Sequence, residues 1–358
     1  MQDNVNLRTM KLKRPYLLFL SPLYWIGTTF RNLLYNLSIF KSQGFDLPII
    51  SVGNLSMGGT GKTPHVEYLL RLLEGRGSLA VLSRGYGRRT KGFLLASSPP
   101  DPFAVGDESA QIKTHYPKVE VAVSENRVKG VDQLLRYPKS PEIIILDDAF
   151  QHRKIQAGLH IVLTTYSDPF FSDVILPAGN LREGRSEASR ADIIVVTKCP
   201  ENLDQTTKSQ YEQAVLKYAP KSKVCFSYMQ HGQIRWMQPK KTFDIQQKFL
   251  LVTGIANPAP FKKHLESLGL QFVHMRFPDH HLFTKMDIRK MKEKIKDANL
   301  AGIISTEKDA TRFLFRGQLH HEVPIGIFPI EVVFFNADEF NKEVFSYVSE
   351  CLKKGADS

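Results

Sequence analysis

Cysteine is scarce in this 358-residue chain, and Cys199, Cys225 and Cys351 share no metal-binding spacing. That excludes a disulfide-stapled fold and a zinc module, and it fits free thiols in a reducing compartment. Long apolar runs are missing too. The run from Pro15 to Phe30 is uncharged and rich in Leu, Tyr, Trp and Phe. It falls short of the ~20 residues a spanning helix needs, Pro22 interrupts it, and Arg31 and Asn32 follow. No small-residue cleavage site of the signal-peptide kind stands in the first fifty residues. Negative charge is in deficit: 36 Asp and Glu against 48 Lys and Arg give a net charge of +12. Such an excess suits an anionic surface, a phosphorylated substrate or nucleic acid, and no nucleic-acid module is recognisable. No internal repeat or low-complexity tract stands out. Apolar content of 42% and charged content of 23% are ordinary for a globular chain long enough for two domains.

What the chain does have is a strand, a glycine-rich turn and a helix between Ser51 and Leu73. Ile49, Ile50 and Val52 end an apolar strand, and the turn consists of Ser56, Met57, Gly58, Gly59, Thr60, Gly61, Lys62 and Thr63. Pro64 falls in the first helical turn, where a missing N–H does no harm. Val66, Leu69, Leu70 and Leu73 then recur at helical spacing, and Gly75 can end the helix. In this context the turn is a phosphate-binding loop rather than a chance Gly-rich turn. Its backbone N–H groups face phosphate oxygens, the helix N-terminus favours negative charge, Lys62 reaches terminal phosphates and Thr63 ligates magnesium. Ser56 replaces the glycine usual at the first position. Met57 stands where membrane-associated regulatory ATPases of the deviant-loop type carry a signature lysine, which argues against that class.

Around this loop the pattern is α/β. Apolar strands are expected at 49–52, 79–82, 119–123, 143–146, 161–163 and 193–196, separated by helical or loop segments. That alternation implies a mostly parallel sheet with ligands at the carboxyl ends of its strands. Ser83-Arg84-Gly85-Tyr86-Gly87-Arg88-Arg89 follows the second strand, as a guanidinium-bearing loop at that edge or a basic surface turn. Ile143 to Leu146 is an apolar strand ending in Asp147 and Asp148, the form of a magnesium-handling Walker B strand. Gly106-Asp107-Glu108 places paired carboxylates between two strands of the same unit. Arg182, after a glycine turn, can clamp phosphate bidentately or form a surface salt bridge. Thr197-Lys198-Cys199-Pro200 lacks the aspartate of a guanine reader, which disfavours GTP.

Beyond Lys221 the composition turns polar, with short strands expected at 224–228 and 234–237. A second α/β unit opens at Phe249-Leu250-Leu251-Val252. Its loops Phe277-Pro278-Asp279-His280-His281 and Thr306-Glu307-Lys308-Asp309 are expected to face the first unit across a cleft. The Asp-His-His cluster is open between a metal site and ordinary core or surface histidines. At the other end, Arg8, Lys11, Lys13 and Arg14 precede the aromatic run. That combination reads as an interfacial helix lying on a membrane, with a core-packing helix as the alternative.

Taken together, the chain resembles the tetraacyldisaccharide 4'-kinase family, the lipid A kinases of Gram-negative bacteria. The segments that carry the resemblance are the phosphate loop with its Gly53-Asn54 lead, S-R-G-Y-G-R, V-G-D-E, L-D-D-A-F-Q-H, L-P-A-G-N-L-R-E, F-P-D-H-H and T-E-K-D-A, in family order over nearly the whole chain. Ser109, Ala149 and Gly184 depart from the residues usual at those positions, and none removes a chemical group. The resemblance implies a P-loop NTPase-like α/β fold, mostly parallel and flanked by helices, with a second smaller α/β domain. Residues 1–45 would form a basic, amphipathic membrane-associated helix, 46–222 the kinase core, 223–245 linker strands, 246–335 the smaller C-terminal domain and 336–358 a final helix.

The implied activity is transfer of the ATP γ-phosphate to the 4'-hydroxyl of a tetraacyldisaccharide 1-phosphate, giving lipid IVA, at the cytoplasmic face of the inner membrane. No obligate protein partner and no nucleic acid are implied. By motif, Ser56 to Thr63 bind ATP, while Thr63, Glu108, Asp147 and Asp148 handle Mg2+. Asp107 is the base assisted by His280, and Lys62, Arg127 and Arg182 serve phosphate or position substrate. His280 is preferred to His281 because it directly follows the motif aspartate. The chemistry agrees: phosphoryl transfer depends on positioning and charge neutralisation, and a sugar hydroxyl needs a carboxylate to take its proton. The competing readings are a membrane-associated regulatory P-loop ATPase and a non-catalytic nucleotide- or lipid-binding module. Met57 counts against the first, and Lys62, Thr63 and Asp148 count against the second.

Overall fold

Short runs of Ile, Val and Leu pair into two sheets in the computed structural model, which describes residues 12–237, 246–255, 257–279, 281–315 and 319–356. In chain order the strands are β1 (Ile49–Asn54), β2 (Leu79–Ser83), β3 (Leu94–Leu95), β4 (Glu120–Val123), β5 (Ile143–Asp147), β6 (Leu159–Thr165) and β7 (Ile193–Thr197). They continue as β8 (Lys223–His231), β9 (Arg235–Trp236), β10 (Lys248–Thr253), β11 (Gln271–Arg276), β12 (Ile303–Thr306), β13 (Ile325–Phe328) and β14 (Ile330–Phe334). The helices are α1 (Ser21–Asn36), α2 (Lys62–Leu72), α3 (Pro102–Val105), α4 (Asp107–His115), α5 (Arg127–Leu135) and α6 (Gln205–Leu216). After them come α7 (Ala259–Ser267), α8 (Lys285–Asp297), α9 (Glu307–Phe315), α10 (Leu319–Glu322) and α11 (Ala337–Ala356).

The larger sheet runs β14-β8-β7-β6-β1-β5-β2-β4-β3, parallel except at its two edges, where β14 and β3 pair antiparallel. Strands β1, β5 and β7 are buried throughout, as parallel strands covered on both faces must be. On one face Val66, Leu69 and Leu70 of α2 pack with Phe340, Val344 and Val348 of α11. On the other, Val131 and Leu134 of α5 lie over Leu82 and Ile144, while Tyr211 and Val215 of α6 lie over Val162 and Ile194. β1 is flanked by β5 and β6, and the chain builds out to one side of it before returning to build the other. The turn after β1 therefore opens at a topological switch point, where α/β sheets bind ligands.

The second sheet runs β11-β10-β12-β13-β9, with Phe283, Met291 and Phe313 on one face and Phe261 and Leu265 on the other. The chain passes from β8 in the first sheet to β9 in the second and returns from β13 to β14. Lys223–His231 is thus a full strand of the larger sheet, paired in parallel with β7. Two crossings side by side hold the second sheet against the first.

Pro22 does not break the N-terminal run as the sequence suggests. Pro15–Leu20 forms a 3-10 turn, and Pro22 occupies the first turn of α1, where proline is tolerated. α1 is built inside out. Ser21 and Asn32 are buried, while Phe19 just before it and Leu23, Trp25, Ile26, Phe30 and Leu33 are exposed. Among the described residues no helix is long and apolar enough to cross a membrane.

Candidate active site

The phosphate loop is braced from beneath and from both sides. Gly61, the residue before α2, has φ +88°, a left-handed conformation that favours glycine, and the Met229 methyl packs where a Cβ would stand. Burial pushes the His65 imidazole down to about 4, which makes it neutral. Its two nitrogens bridge Gly61 O at 2.8 Å and Ser227 Oγ at 3.1 Å, the pattern of an Nδ1–H donor and an Nε2 acceptor. Asn54 Nδ2 donates to Thr60 Oγ1 at 3.2 Å, Thr197 Oγ1 to Thr60 O at 2.9 Å and Lys198 Nζ to Gly59 O at 2.6 Å. The opposite side is pinned by Met57 N donating to Asn180 O and Arg182 N to Leu55 O, each at 2.8 Å. Met57, Gly58 and Gly59 stay exposed at the lip, and the Ser56 hydroxyl is buried without a partner.

The carboxylates at the end of β5 face this loop. Lys62 Nζ lies 3.8 Å from Asp148 Oδ1, and Arg182 Nη1 donates to the same oxygen at 2.9 Å. Burial opposes the charged carboxylate, but Lys62 and Arg182 together lower its pKa. Asp148 also has φ +49°, a left-handed conformation costly for a side-chain-bearing residue and a recurrent mark of functional sites. Asp147 is different. It is fully buried, its Oδ1 has no partner, and desolvation followed by the Glu108 charge raises it to about 7 against the pull of Lys62. Arg127 lies beside it, donating to Ser124 O at 2.6 Å and to the Asp147 carbonyl at 3.3 Å. Burial lowers that guanidinium to about 10 although both aspartates oppose the shift.

Asp107 and Glu108 open α4 one residue after Gly106, whose φ is +86° and whose missing Cβ would lie 2.8 Å from Tyr86 O. The V-G-D-E glycine therefore lets α4 start against the S-R-G-Y-G-R loop. Ser83 and Ser109 share a 2.7 Å hydrogen bond, so the departure at Ser109 ties that loop to α4. Within the loop Arg88 is spent on Glu125 and Gly92 O, whereas Arg84 is exposed. From the second sheet, Arg312 Nε donates to Asp107 Oδ2 at 2.7 Å.

α1 is tied into the site by its polar face. Arg31 Nη2 and Asn32 Nδ2 donate to Glu183 Oε1 at 2.6 and 3.3 Å, and Arg190 takes the other carboxylate oxygen. Tyr24 OH donates to Arg182 O at 3.1 Å. The helix thus sits on the L-P-A-G-N-L-R-E loop, whose Leu181 bridges to Ser56 of the phosphate loop.

The structure brings Lys62, Asp147, Asp148, Arg127, Glu108 and Arg182 together at one edge and sets Asp107 beside them under the second sheet. His280 lies outside the described residues. His281 stacks on Phe277 at 4.7 Å and lies 3.1 Å from Asp287 at the start of α8, a structural placement. Among the described residues, Glu67, His115 and Glu307 form a group of metal-ligand type. Arg235 pairs with Glu307 there, and both His115 nitrogens already face carboxylates, so the cluster is self-neutralised. Sequence reasoning missed Gln151, His65 and Arg312. Gln151 links Asn54 O at 2.9 Å to Arg182 at 3.3 Å, and it lies within L-D-D-A-F-Q-H. His65 and Arg312 carry no local signal.

The family model described as tetraacyldisaccharide-1-P 4'-kinase (LpxK) matches residues 13–349. Among curated proteins, the tetraacyldisaccharide 4'-kinase of Flavobacterium johnsoniae is 41% identical over 96% of this chain and 100% of its own length. That of Flavobacterium psychrophilum is 40% identical over 93% and 96%, and that of Bacteroides thetaiotaomicron 39% over 95% of each. A crystal structure of LpxK from Aquifex aeolicus in complex with ATP superposes with a TM-score of 0.73 at 29% identity, covering 93% of this chain and 98% of that one.

Proposed function

The chain belongs to the tetraacyldisaccharide-1-P 4'-kinase family, and we propose that it transfers the γ-phosphate of ATP to the 4'-hydroxyl of a tetraacyldisaccharide 1-phosphate, yielding lipid IVA. The observation that carries this reading is the convergence of Lys62 and Arg182 on Asp148 at the lip of the phosphate loop. Two cations on a carboxylate can turn to phosphate oxygens when nucleotide enters. They would then neutralise charge as the phosphoryl group moves, where most of the rate in this chemistry arises.

Asp107 takes the proton from the acceptor hydroxyl, with His280 assisting, while Arg127 holds Asp147 and backs the phosphate edge. The residues also fit magnesium. Asp147 carries a buried carboxylate oxygen with no partner and is pushed toward its neutral form by burial and by Glu108, so that oxygen is open to a further cation. Thr63, Glu108, Asp147 and Asp148 would hold the ion, an all-oxygen set suited to a hard dication. Bound there, it would supply charge neutralisation on the nucleotide phosphates.

The exposed apolar face of α1, with Lys13 and Arg14 at its foot, lies on the cytoplasmic face of the inner membrane, where the acyl chains of the acceptor remain. The larger sheet, from β1 through β8 and closed by β14, acts as the kinase core, and the second sheet, from β9 to β13, as the smaller domain. The test is to incubate the full chain with ATP, magnesium and a lipid A disaccharide precursor and to look for one added phosphate by mass spectrometry. ATP consumed with no phosphorylated lipid would replace this reading with that of a regulatory ATPase.

A further inference from the structure

The carboxylate that opens α4 is held by a residue of α9, the helix that follows β12 of the other sheet. Arg312 is 3% exposed, and its guanidinium is anchored before it reaches Asp107. Nη1 donates to Asp309 Oδ1 at 3.2 Å and to Gly254 O at 3.3 Å, leaving Nε directed at Asp107 Oδ2 at 2.7 Å. Asp309 is itself fixed: it is wholly buried, and its Oδ2 accepts from Gly254 N at 2.8 Å and from Thr306 Oγ1 at 2.9 Å. Gly254 also adjoins Pro278 and His281 of the F-P-D-H-H loop. The arm is therefore preorganised by the second sheet rather than swung by a free side chain.

The seat of α9 on α4 is fixed at its other end as well. His115, at the end of α4, lies 3.1 Å from Glu307 at the start of α9. Asp107 and Arg312 pair at the opposite end, so the two helices meet in antiparallel order. A buried ion pair is weak evidence of stability, because desolvating its charges offsets most of their attraction; fixing one arrangement of parts is the better-attested use.

We propose that Arg312 is the positioning residue of the acceptor-side base, so that Asp107 is aimed only while the second domain rests on the first. This rests on the reading of Asp107 as the base. In the step, the acceptor oxygen forms a bond to the γ-phosphorus, the bond from that phosphorus to the ADP oxygen breaks, and the hydroxyl proton passes to Asp107. Arg312 keeps its own protons throughout and exchanges none. Its part is to fix where the carboxylate stands, since misplacement by about 1 Å costs about 100-fold in rate.

The experiment compares Asp107→Asn, Arg312→Met, Arg312→Lys and the Asp107→Asn/Arg312→Met pair in the full chain, with folding checked by circular dichroism. Arg312→Met is expected to lower kcat for the lipid acceptor about 100-fold with KM for ATP nearly unchanged. Guanidinium ion at non-denaturing concentration should restore part of that loss, and the double variant should be no slower than Asp107→Asn alone. An unchanged kcat in Arg312→Met overturns the proposal, as do losses that multiply in the double variant. Should Arg312→Met fail to fold, Arg312→Lys decides: its ammonium lacks the fork that spans Asp309 and Asp107, so kcat must fall, and a normal kcat overturns the proposal. Normal turnover in Asp107→Asn removes the base reading and this inference with it. A crippled Asp107→Asn beside an unaffected Arg312→Met removes only Arg312.

Discussion

The nucleotide side and the acceptor side of this site are held in opposite ways. Lys62, Asp147, Asp148 and Arg182 are all positioned by the larger sheet and the loops that leave it. Their braces, Asn54, His65, Thr197 and Lys198, come from the same sheet and the helix after it. Asp107 starts a helix of that unit, yet the group that fixes its carboxylate stands on the second sheet. The difference is one of dependence. The phosphate grip needs only its own fold, whereas the proposed base, Asp107, is paired across two units. Variants on the nucleotide side should therefore remove all phosphoryl chemistry, and variants on the acceptor side should separate transfer from nucleotide binding.

Lys62→Ala is expected to show the largest effect. Its side chain faces the loop lip and Asp148 rather than the core, so the melting temperature should hold while turnover drops by about 10³-fold or more. Lipid phosphorylation near the parent rate in that variant would place the nucleotide elsewhere. Asp107→Asn keeps size and polarity but removes the proposed base. Turnover should fall ~10²–10⁴-fold while a titration with ATP gives an unchanged affinity. Combining it with His280→Ala should cost less than the product of the two single losses, since groups that act together are non-additive. Strictly multiplicative losses would break the proposed pairing of Asp107 with His280.

The same contrast explains what could be read from the sequence. The strand, glycine turn and helix at 49–73, and the Ile143–Asp148 strand ending in two acids, are set by residues adjacent in the chain. Their periodicity and turn chemistry therefore point to them directly. Arg312 could not be found that way: it lies two residues past the T-E-K-D-A motif, and its contact with Asp107 arises only from how α9 rests on α4. Ser109 is a neutral departure in the sequence, and only the fold sets Ser83 opposite it. The aromatic run at the N-terminus was legible as an amphipathic stretch. That its polar side would be gripped by Glu183, beside the phosphate loop, depends on a loop about 150 residues away.

α1 offers a third test of dependence, because its polar face is tied to the nucleotide side and its exposed apolar face is the surface proposed to meet the membrane. Deleting the helix would strip two of the partners of buried Glu183, so substitutions on the outer face are the cleaner probe. Phe19→Ser, Trp25→Ser and Ile26→Ser together remove exposed apolar surface without touching Ser21, Arg31 or Asn32. Co-sedimentation with anionic vesicles should weaken at least about tenfold, while phosphorylation of a detergent-solubilised acceptor stays close to the parent rate. Undiminished vesicle binding would assign the membrane contact to another surface.

The smallest effect concerns the far end of α4, where the two sides meet again. His115 lies 3.1 Å from Glu67 of α2 and 3.1 Å from Glu307 of α9, with Arg235 on Glu307 and Gln111 on Glu67. Burial disfavours a charged imidazole here. The hydrogen bonds and charges of Glu307 and Glu67 outweigh it and raise the group to about 9. In the unfolded chain the imidazole titrates near its ordinary value of about 6.5. Between those values the folded protein binds a proton that the unfolded chain does not, so stability must fall with rising pH across that window. The contribution is fully present below about pH 6.5 and is lost as pH rises through about 9. It is on the order of 3 kcal/mol, equivalent to a few degrees in melting temperature for a chain this long. His115→Gln should melt lower than the parent at pH 6, and the gap should narrow or close by about pH 9.5. A gap of equal size at both ends would mean that packing, not the imidazolium, joins α2 to α9. The seat of the second domain would then depend on Arg312 and Asp107 for its electrostatic part.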